Sequence, residues 1–445
     1  MRRVLVIADL HHSSPRIPRL SKYLRCHDWE ATVLTPPINR PTDRFGGPPA
    51  DVRDMCTLAE TEGFTARDVV QSPSGGLPRR TYDGWWWWPA RLVVRSIRWC
   101  WRWGSWRVLQ WIWYPDKEKA WRPVATAEAA RLVRERGFDV VLSSSSPVTC
   151  HLVASDVSRA FGLPWIAELR DPWTQNHNYP HGLSRRIVEA ALERRTLQGA
   201  THLVTVSPTW VPLLRRIHRR VPVVAIENGF DPEAYIGEST LPERFTLTYT
   251  GRVYGGKQDP TIAIRAVRSL IDQRSVTEHD IELRFFGSVN SAVRRATERL
   301  GLEGVVRQLG PVTPEQARDK QRESHALLLL NWEDPRQRGV YPLKVFEYIG
   351  ALRPIVATGG HGGDAVESLL RSVGCGWYCT TVMQTADALE ALYREYRSTG
   401  SVELQVNTEA RDSYGFDALA KRYVQVLNGC RRGAAERDAS RGRRP

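Results

Sequence analysis

Hydrophobic positions along the chain alternate between short apolar runs and longer stretches with helical spacing. The first run, Val4 to Ala8, is followed by a loop with Pro15, a short helix near Arg19 to Arg25 and a strand from Ala31 to Thr35. Strand, helix, strand in that order predicts a βαβ start and a parallel sheet. Residues 36–84 break the rhythm with Pro-Pro, Gly-Gly-Pro-Pro and Ser-Pro-Ser-Gly-Gly, and residues 85–121 carry a Trp/Arg stretch, so 36–121 reads as an insertion on the first domain. The alternation resumes with a helix ending at Gly137, a strand Asp139 to Ser143 and a helix from Val148 to Phe161. Strand Trp165 to Leu169, helix Leu183 to Gln198, strand His202 to Ser207, a helix holding Leu213 to His218, and strand Val223 to Ile226 complete the half.

A second series begins after a linker-like segment at 232–244. Its strands are expected at Leu247 to Thr250, Leu283 to Phe286, Val305 to Leu309, Ala326 to Leu330, Ile355 to Thr358 and Gly376 to Cys379. The expected fold class is therefore α/β, with two doubly wound Rossmann-like domains, 1–235 and 245–412, facing a cleft. A C-terminal helix (413–429) and a disordered polar tail (430–445) follow.

Composition narrows the classes. The chain has 445 residues, 42% hydrophobic and 25% charged, with a net charge of +14. That is the balance of folded domains rather than of a disordered chain. Its seven cysteines (26, 56, 100, 150, 375, 379, 430) include no CxxC pair, which points to a reducing, cytosolic setting rather than to a disulfide framework or a zinc ribbon. No apolar run approaches the roughly 18 residues that cross a bilayer, and Val4 to Ala8 reads as a strand rather than a signal peptide.

Doubly wound sheets bind ligands at the carboxyl ends of their strands. The first such loop, Asp9-Leu-His-His-Ser-Ser-Pro-Arg, lacks the GxGxxG of a dinucleotide enzyme, and no two aspartates stand two apart to hold a metal on a diphosphate. No cofactor or metal is therefore expected, and any phosphate must be met by protein cations. Candidates follow the strand ending at Thr250: Gly251, Arg252 and, after two glycines, Lys257, one of only seven lysines. A solvated loop with incidental charge is the competing account. Further on, Gly339-Val340-Tyr-Pro342-Leu-Lys344-Val-Phe-Glu347-Tyr348 puts Lys344 and Glu347 on one helix face, Pro342 suiting its first turn. A carboxylate there can accept from two vicinal ribose hydroxyls while the lysine and helix N-terminus meet phosphate; an ordinary ion pair explains the spacing equally well. The turn Gly359 to Gly363, with Gly362 and Gly363 before the next helix, offers backbone donors to a diphosphate.

Taken together, Thr250-Gly-Arg252 with Lys257, Phe286-Gly287, Leu309-Gly310, Pro342 to Tyr348 and Pro354-Ile-Val-Ala resemble the donor domain of GT-B glycosyltransferases of family 4. Ser144-Ser145-Ser146-Pro147, Pro164 to Trp173 and Glu227-Asn228-Gly229-Phe-Asp231 resemble the acceptor domain of its bacterial polysaccharide-building members. The likeness covers most of the chain apart from 36–115 and the tail. It implies metal-free, retaining transfer of a sugar from a nucleotide-sugar donor, with Arg252 and Lys257 stabilising the diphosphate leaving group and Asp171 near the transferred sugar. It further implies Glu347 on the ribose, Gly251, Gly287, Gly310, Val340, Lys344, Gly362 and Gly363 around the donor, and Arg170 with Ser145 toward the acceptor. The sequence departs from the family where Gly339 replaces the first of two glutamates and where His11-His12-Ser13-Ser14 replaces a glycine loop. His151, inside an expected helix, reads as a packed or surface residue.

Eleven of the 17 tryptophans fall between Trp85 and Trp121. There Arg91, Arg95, Arg98 and Arg102 share one helical stripe, and Leu92, Val93, Val94, Ile97, Trp101 and Trp103 fill the rest. With Trp99 alongside, this pattern fits a helix at the face of an anionic membrane, on the inner side of the cell membrane. A hairpin packed on its own domain competes, and nucleic-acid binding is disfavoured because no base-reading fold accompanies it. Membrane docking makes the expected acceptor lipid-linked. A nucleotide-sugar epimerase of GT-B fold and a non-catalytic peripheral membrane protein are the rival readings.

Overall fold

In the computed structural model, residues 1–12, 15–39, 51–61, 111–176, 178–179, 181–237 and 239–441 are described, with backbone only over 432–441. The Trp/Arg stretch up to residue 110, with its six candidate membrane residues, lies outside them. The chain divides into two compact units, one of residues 1–206, 210–226 and 420–445, the other of 207–209 and 227–419.

The first unit is a seven-stranded parallel sheet ordered β3-β2-β1-β4-β5-β6-β7. Its elements run β1 (Arg2–Ala8), α1 (Arg16–Leu24), β2 (Trp29–Thr35), β3 (Thr57–Glu60), α2 (Trp121–Arg136), β4 (Val140–Ser145) and α3 (Thr149–Phe161). They continue through β5 (Trp165–Leu169), α4 (Leu183–Leu197), β6 (His202–Thr205), α5 (Val211–Ile217) and β7 (Val223–Ala225). β3 corrects the sequence reading: it pairs in parallel with β2 inside the segment expected to be an insertion. Four residues of a half-exposed edge strand carry too little alternation to announce it.

The second unit is a six-stranded parallel sheet ordered β10-β9-β8-β11-β12-β13. It comprises β8 (Phe245–Thr250), α6 (Thr261–Asp272), β9 (Ile281–Phe286), α7 (Ser291–Leu300), β10 (Val306–Gly310), α8 (Pro314–Arg322) and β11 (Ala326–Leu330). α9 (Lys344–Ala351), β12 (Ile355–Thr358), α10 (Ala365–Val373), β13 (Gly376–Cys379) and α11 (Val382–Thr399) follow. Sheets covered by helices on both faces need continuous apolar strands, and β11, Ala-Leu-Leu-Leu-Leu, is buried at every position. The last helix, α12 (Phe416–Arg441), runs past residue 430, where the sequence reading placed a disordered tail, and from Ala420 it belongs to the first unit.

In each sheet the strand order reverses once, between β1 and β4 and between β8 and β11. Neighbouring connections leave such a point in opposite directions, which opens a crevice at the carboxyl ends of the strands.

Candidate functional site

At the reversal in the second unit, the loops after β8 and β11 are joined backbone to backbone, Glu333 N donating to Lys257 O at 2.9 Å. Glycines let the chains approach this closely. Gly287 has φ 152° and a Cβ there would lie 2.2 Å from Gly251 O. Gly251 N donates to Phe286 O at 2.7 Å and Gly287 N to Gly310 O at 2.8 Å, so the three glycines tie together the carboxyl ends of β8, β9 and β10.

Arg252 and Lys257 are both exposed on the loop after β8. Arg252 lies over the Tyr254 ring at 5.7 Å and Lys257 over Trp332 at 5.9 Å, with the two rings 5.3 Å apart. The contacts run from cation to ring to ring to cation, so the aromatic pair positions both charges on the same linked loops. Alongside, a hollow of about 320 Å³ is lined by Gly255, Gly256, Asn290 and Glu333 among others.

Lys344 opens α9 and Glu347 sits in its first turn. Pro342 precedes the helix by two residues rather than lying in its first turn. Lys344 and Glu347 are not the ion pair that their spacing also allowed. Lys344 Nζ donates to Tyr249 Oη at 2.5 Å, and Tyr249 Oη donates to Arg252 O at 2.7 Å. Glu347 instead accepts from Gln321 Nε2 at 3.3 Å, and the same amide reaches Thr250 Oγ1 at 3.0 Å. Burial brings the Lys344 ammonium down to about 7, with Glu347 opposing the shift. This lysine can take up a proton when an anion arrives.

The glycine turn before α10 departs from expectation. Gly363 N, read as a donor to diphosphate, donates to Glu367 Oε2 at 2.6 Å, and Gly360 N donates to Glu333 Oε1 at 3.3 Å. Side-chain carboxylates thus fill donor positions expected to meet phosphate. Val340 N likewise donates to Gln337 O at 2.8 Å.

In the first unit the charges at the strand ends are turned inward. Glu168 is fully buried in β5. It accepts from Arg16 Nε at 2.9 Å, from Ser144 Oγ at 2.5 Å and from Tyr423 Oη of α12. Burial alone would raise its pKa; Arg16 and these hydrogen bonds outweigh that and hold the carboxyl below the ordinary range. Arg170 donates to Ser145 O at 2.7 Å, His12 O at 2.9 Å and Ser146 O at 2.9 Å, pinning the loops after β1 and β4. Ser145 is buried, its hydroxyl directed to Glu168 O. Asp171 is exposed just beyond β5. His151 is packed, 2.7 Å from Ser143 Oγ, and burial lowers its pKa to about 3.

Residues 13–229 match the model of the glycosyl transferase 4-like domain. Comparison with curated protein sequences finds no match. Among solved structures, HepE of Anabaena in complex with UDP and glucose aligns at TM-score 0.61 and 12% identity, covering 96% of this chain and 100% of its own. Sucrose-phosphate synthase of Thermosynechococcus elongatus aligns at 0.59 and 12% over 96% and 99% of the two chains. The chain has the GT-B fold of these enzymes, and its first half resembles the glycosyl transferase 4-like domain. A UDP-N-acetylglucosamine 2-epimerase aligns as well, at 0.51 and 11% over 96% of each chain. At such identities the structural likenesses show the fold alone.

Within this fold, Gly251, Arg252, Lys257, Gly287, Gly310, Lys344 and Glu347 gather around linked loops of the second unit. Gly362 and Gly363 lie in the turn whose Gly360 and Gly363 amides are held by Glu333 and Glu367. In the first unit Arg170 braces loops, and Ser145 is spent inside the sheet instead of lining an acceptor surface. Sequence reasoning missed Arg16, Glu168 and Tyr423, although one charge in the otherwise apolar run Trp165-Ile-Ala-Glu168-Leu demands a buried partner. It also missed Asp9, His12 and Glu118, whose side-chain ligand atoms lie within 4.8 Å of one another beyond β1. Asp9 Oδ2 is 3.0 Å from His12 Nδ1.

Proposed function

We propose that this protein is a glycosyltransferase that uses a nucleotide-sugar donor bound by the second unit and passes the sugar, with retention and without a metal, to a saccharide acceptor carried on a lipid. The carrying observation is the pair of exposed cations, Arg252 and Lys257, held by one aromatic pair at the reversal point of the sheet. As the bond from the anomeric carbon to the diphosphate oxygen breaks, charge collects on the diphosphate, and cations already in place lower that barrier most. Lys344 supplies a third positive charge on proton uptake, and Glu347 offers a carboxylate to ribose hydroxyls. Asp171 is assigned to the neighbourhood of the transferred sugar by family resemblance and by its place beyond β5. Metal independence is supported by the lack of paired aspartates in the sequence. A role in cell-surface polysaccharide synthesis at the inner membrane face follows from the resemblance. No helix among the described residues is long and apolar enough to cross a membrane, so attachment would be peripheral.

A thermal-shift screen against nucleotide sugars tests the donor assignment, with Glu347→Ala expected to lose most of the shift. No stabilisation of the wild type by any nucleotide sugar rejects it. Product analysis with and without lipid extract then separates transfer from epimerisation, which needs no acceptor.

A further inference from the structure

Helix α4 is folded inside out. Three of its six charged residues, Arg185, Glu189 and Glu193, are 1%, 2% and 0% exposed, while Leu183, Ile187 and Val188 are 75%, 62% and 42% exposed. A helix on a water-facing surface has the opposite arrangement. The inner face is fastened by polar contacts. Arg185 Nε donates to Glu189 Oε1 at 2.6 Å and Arg185 Nη2 to Pro115 O at 2.9 Å. Glu193 Oε2 accepts from Thr174 N at 3.2 Å and from Gln175 Nε2 at 3.1 Å, and Glu193 Oε1 lies 3.3 Å from His218 Nε2. Rolling the helix over would strip these groups of partners, so the apolar stripe is fixed outward.

The charge on that outer face has one sign. Both glutamates of α4 point inward, and the exposed charged residues are Arg186, Arg194 and Arg195. The segment against which Arg185 is tied carries Trp111 and Ile112, 42% and 36% exposed. An apolar stripe flanked by arginines, with tryptophan nearby and no exposed acid on α4 itself, complements an anionic bilayer: aliphatic groups enter the acyl boundary while guanidinium groups meet headgroup phosphates.

We infer that the outer face of α4 docks on an anionic membrane surface. In a parallel sheet the helix after a strand begins near that strand's carboxyl end, so Leu183 and Ile187 lie at the same edge as Arg170 and Asp171. A lipid-borne acceptor would then be presented to the edge where the first unit's loops gather. The docking itself stands on α4; only its purpose rests on the proposed acceptor.

Full-length protein is floated with vesicles of phosphatidylcholine alone and of phosphatidylcholine with 30 mol% phosphatidylglycerol, without donor or acceptor. Wild type is expected to float only with the anionic vesicles. Leu183→Ser/Ile187→Ser/Val188→Ser should partition about tenfold more weakly or worse, and Arg186→Gln/Arg194→Gln/Arg195→Gln should lose the preference for anionic lipid. Both variants should keep the wild-type thermal shift with nucleotide sugar, which checks folding. If the triple serine variant does not fold, Ile187→Ser alone is used, with hydrogen exchange of α4 expected to slow on vesicle addition in wild type. Unchanged flotation of the serine variants overturns the inference, as does flotation lost only on replacing tryptophans between 85 and 113. Self-association through this face with no effect on flotation overturns it in favour of a second copy. None of these results bears on the nucleotide-sugar shift, so the donor assignment stands or falls separately.

Discussion

The two sheets share a topology and spend their charges differently. At the reversal point of the first, Arg16, Glu168 and Arg170 are consumed by partners within the unit, a buried carboxylate network and three backbone carbonyls. At the reversal point of the second, Arg252 and Lys257 are held by aromatic rings and remain exposed. One unit turns its cations inward to build its loops; the other holds them at its surface. Charge in the loops of such a fold is therefore no guide to chemistry until its partners are known.

That contrast is breakable. Arg252→Ala and Lys257→Ala should each lower kcat/KM by about 10² to 10³ with an unchanged melting temperature, the loss typical of removing one preorganised electrostatic contact. Full activity in both would remove the ligand role from the second unit. Glu168→Gln should act in the reverse sense, costing about 3 kcal/mol of stability by leaving Arg16 buried without its counter-charge, yet preserving the thermal shift with nucleotide sugar. A lost shift in a still-folded Glu168→Gln protein would show that the network is not purely structural. The smallest effect is a protonic one. In the free protein Lys344 titrates near 7, and a bound diphosphate raises that value. Below about pH 7 the lysine is already charged and binding takes up no proton; above it, binding draws one in, so affinity should fall by up to tenfold per pH unit. Calorimetry in buffers of different ionisation enthalpy measures the uptake, and Lys344→Arg should abolish it. Equal affinity at pH 6.5 and 8.5 would place Lys344 outside the phosphate site.

Much of this organisation is legible in the sequence. Strands Trp165 to Leu169, Ala326 to Leu330, Ile355 to Thr358 and Gly376 to Cys379 lie where the sequence placed them; for Ala326 to Leu330 the reason is plain, since a strand buried on both faces needs an unbroken apolar stretch. The spacing of Lys344 and Glu347 marked the right turn of chain, but the choice between ion pair and separate partners depends on Tyr249 and Gln321, which arrive from β8 and α8. That Glu168 needs a buried partner could be read from its apolar run, but not which partners, since they lie 152 and 255 residues away. Nor does hydrophobic spacing reveal that α4 turns its apolar residues outward; that follows from the carbonyls, amide and imidazole gathered beneath it.

The return of α12 to the first unit has a consequence during synthesis. Tyr423 completes the surroundings of Glu168, so a nascent chain must be translated past residue 423 before its amino-terminal half can close around that carboxylate. Until then the second sheet, whose strands are contiguous in sequence, is free to form first, and a ribosome stalled between them would hold an early half with an open centre.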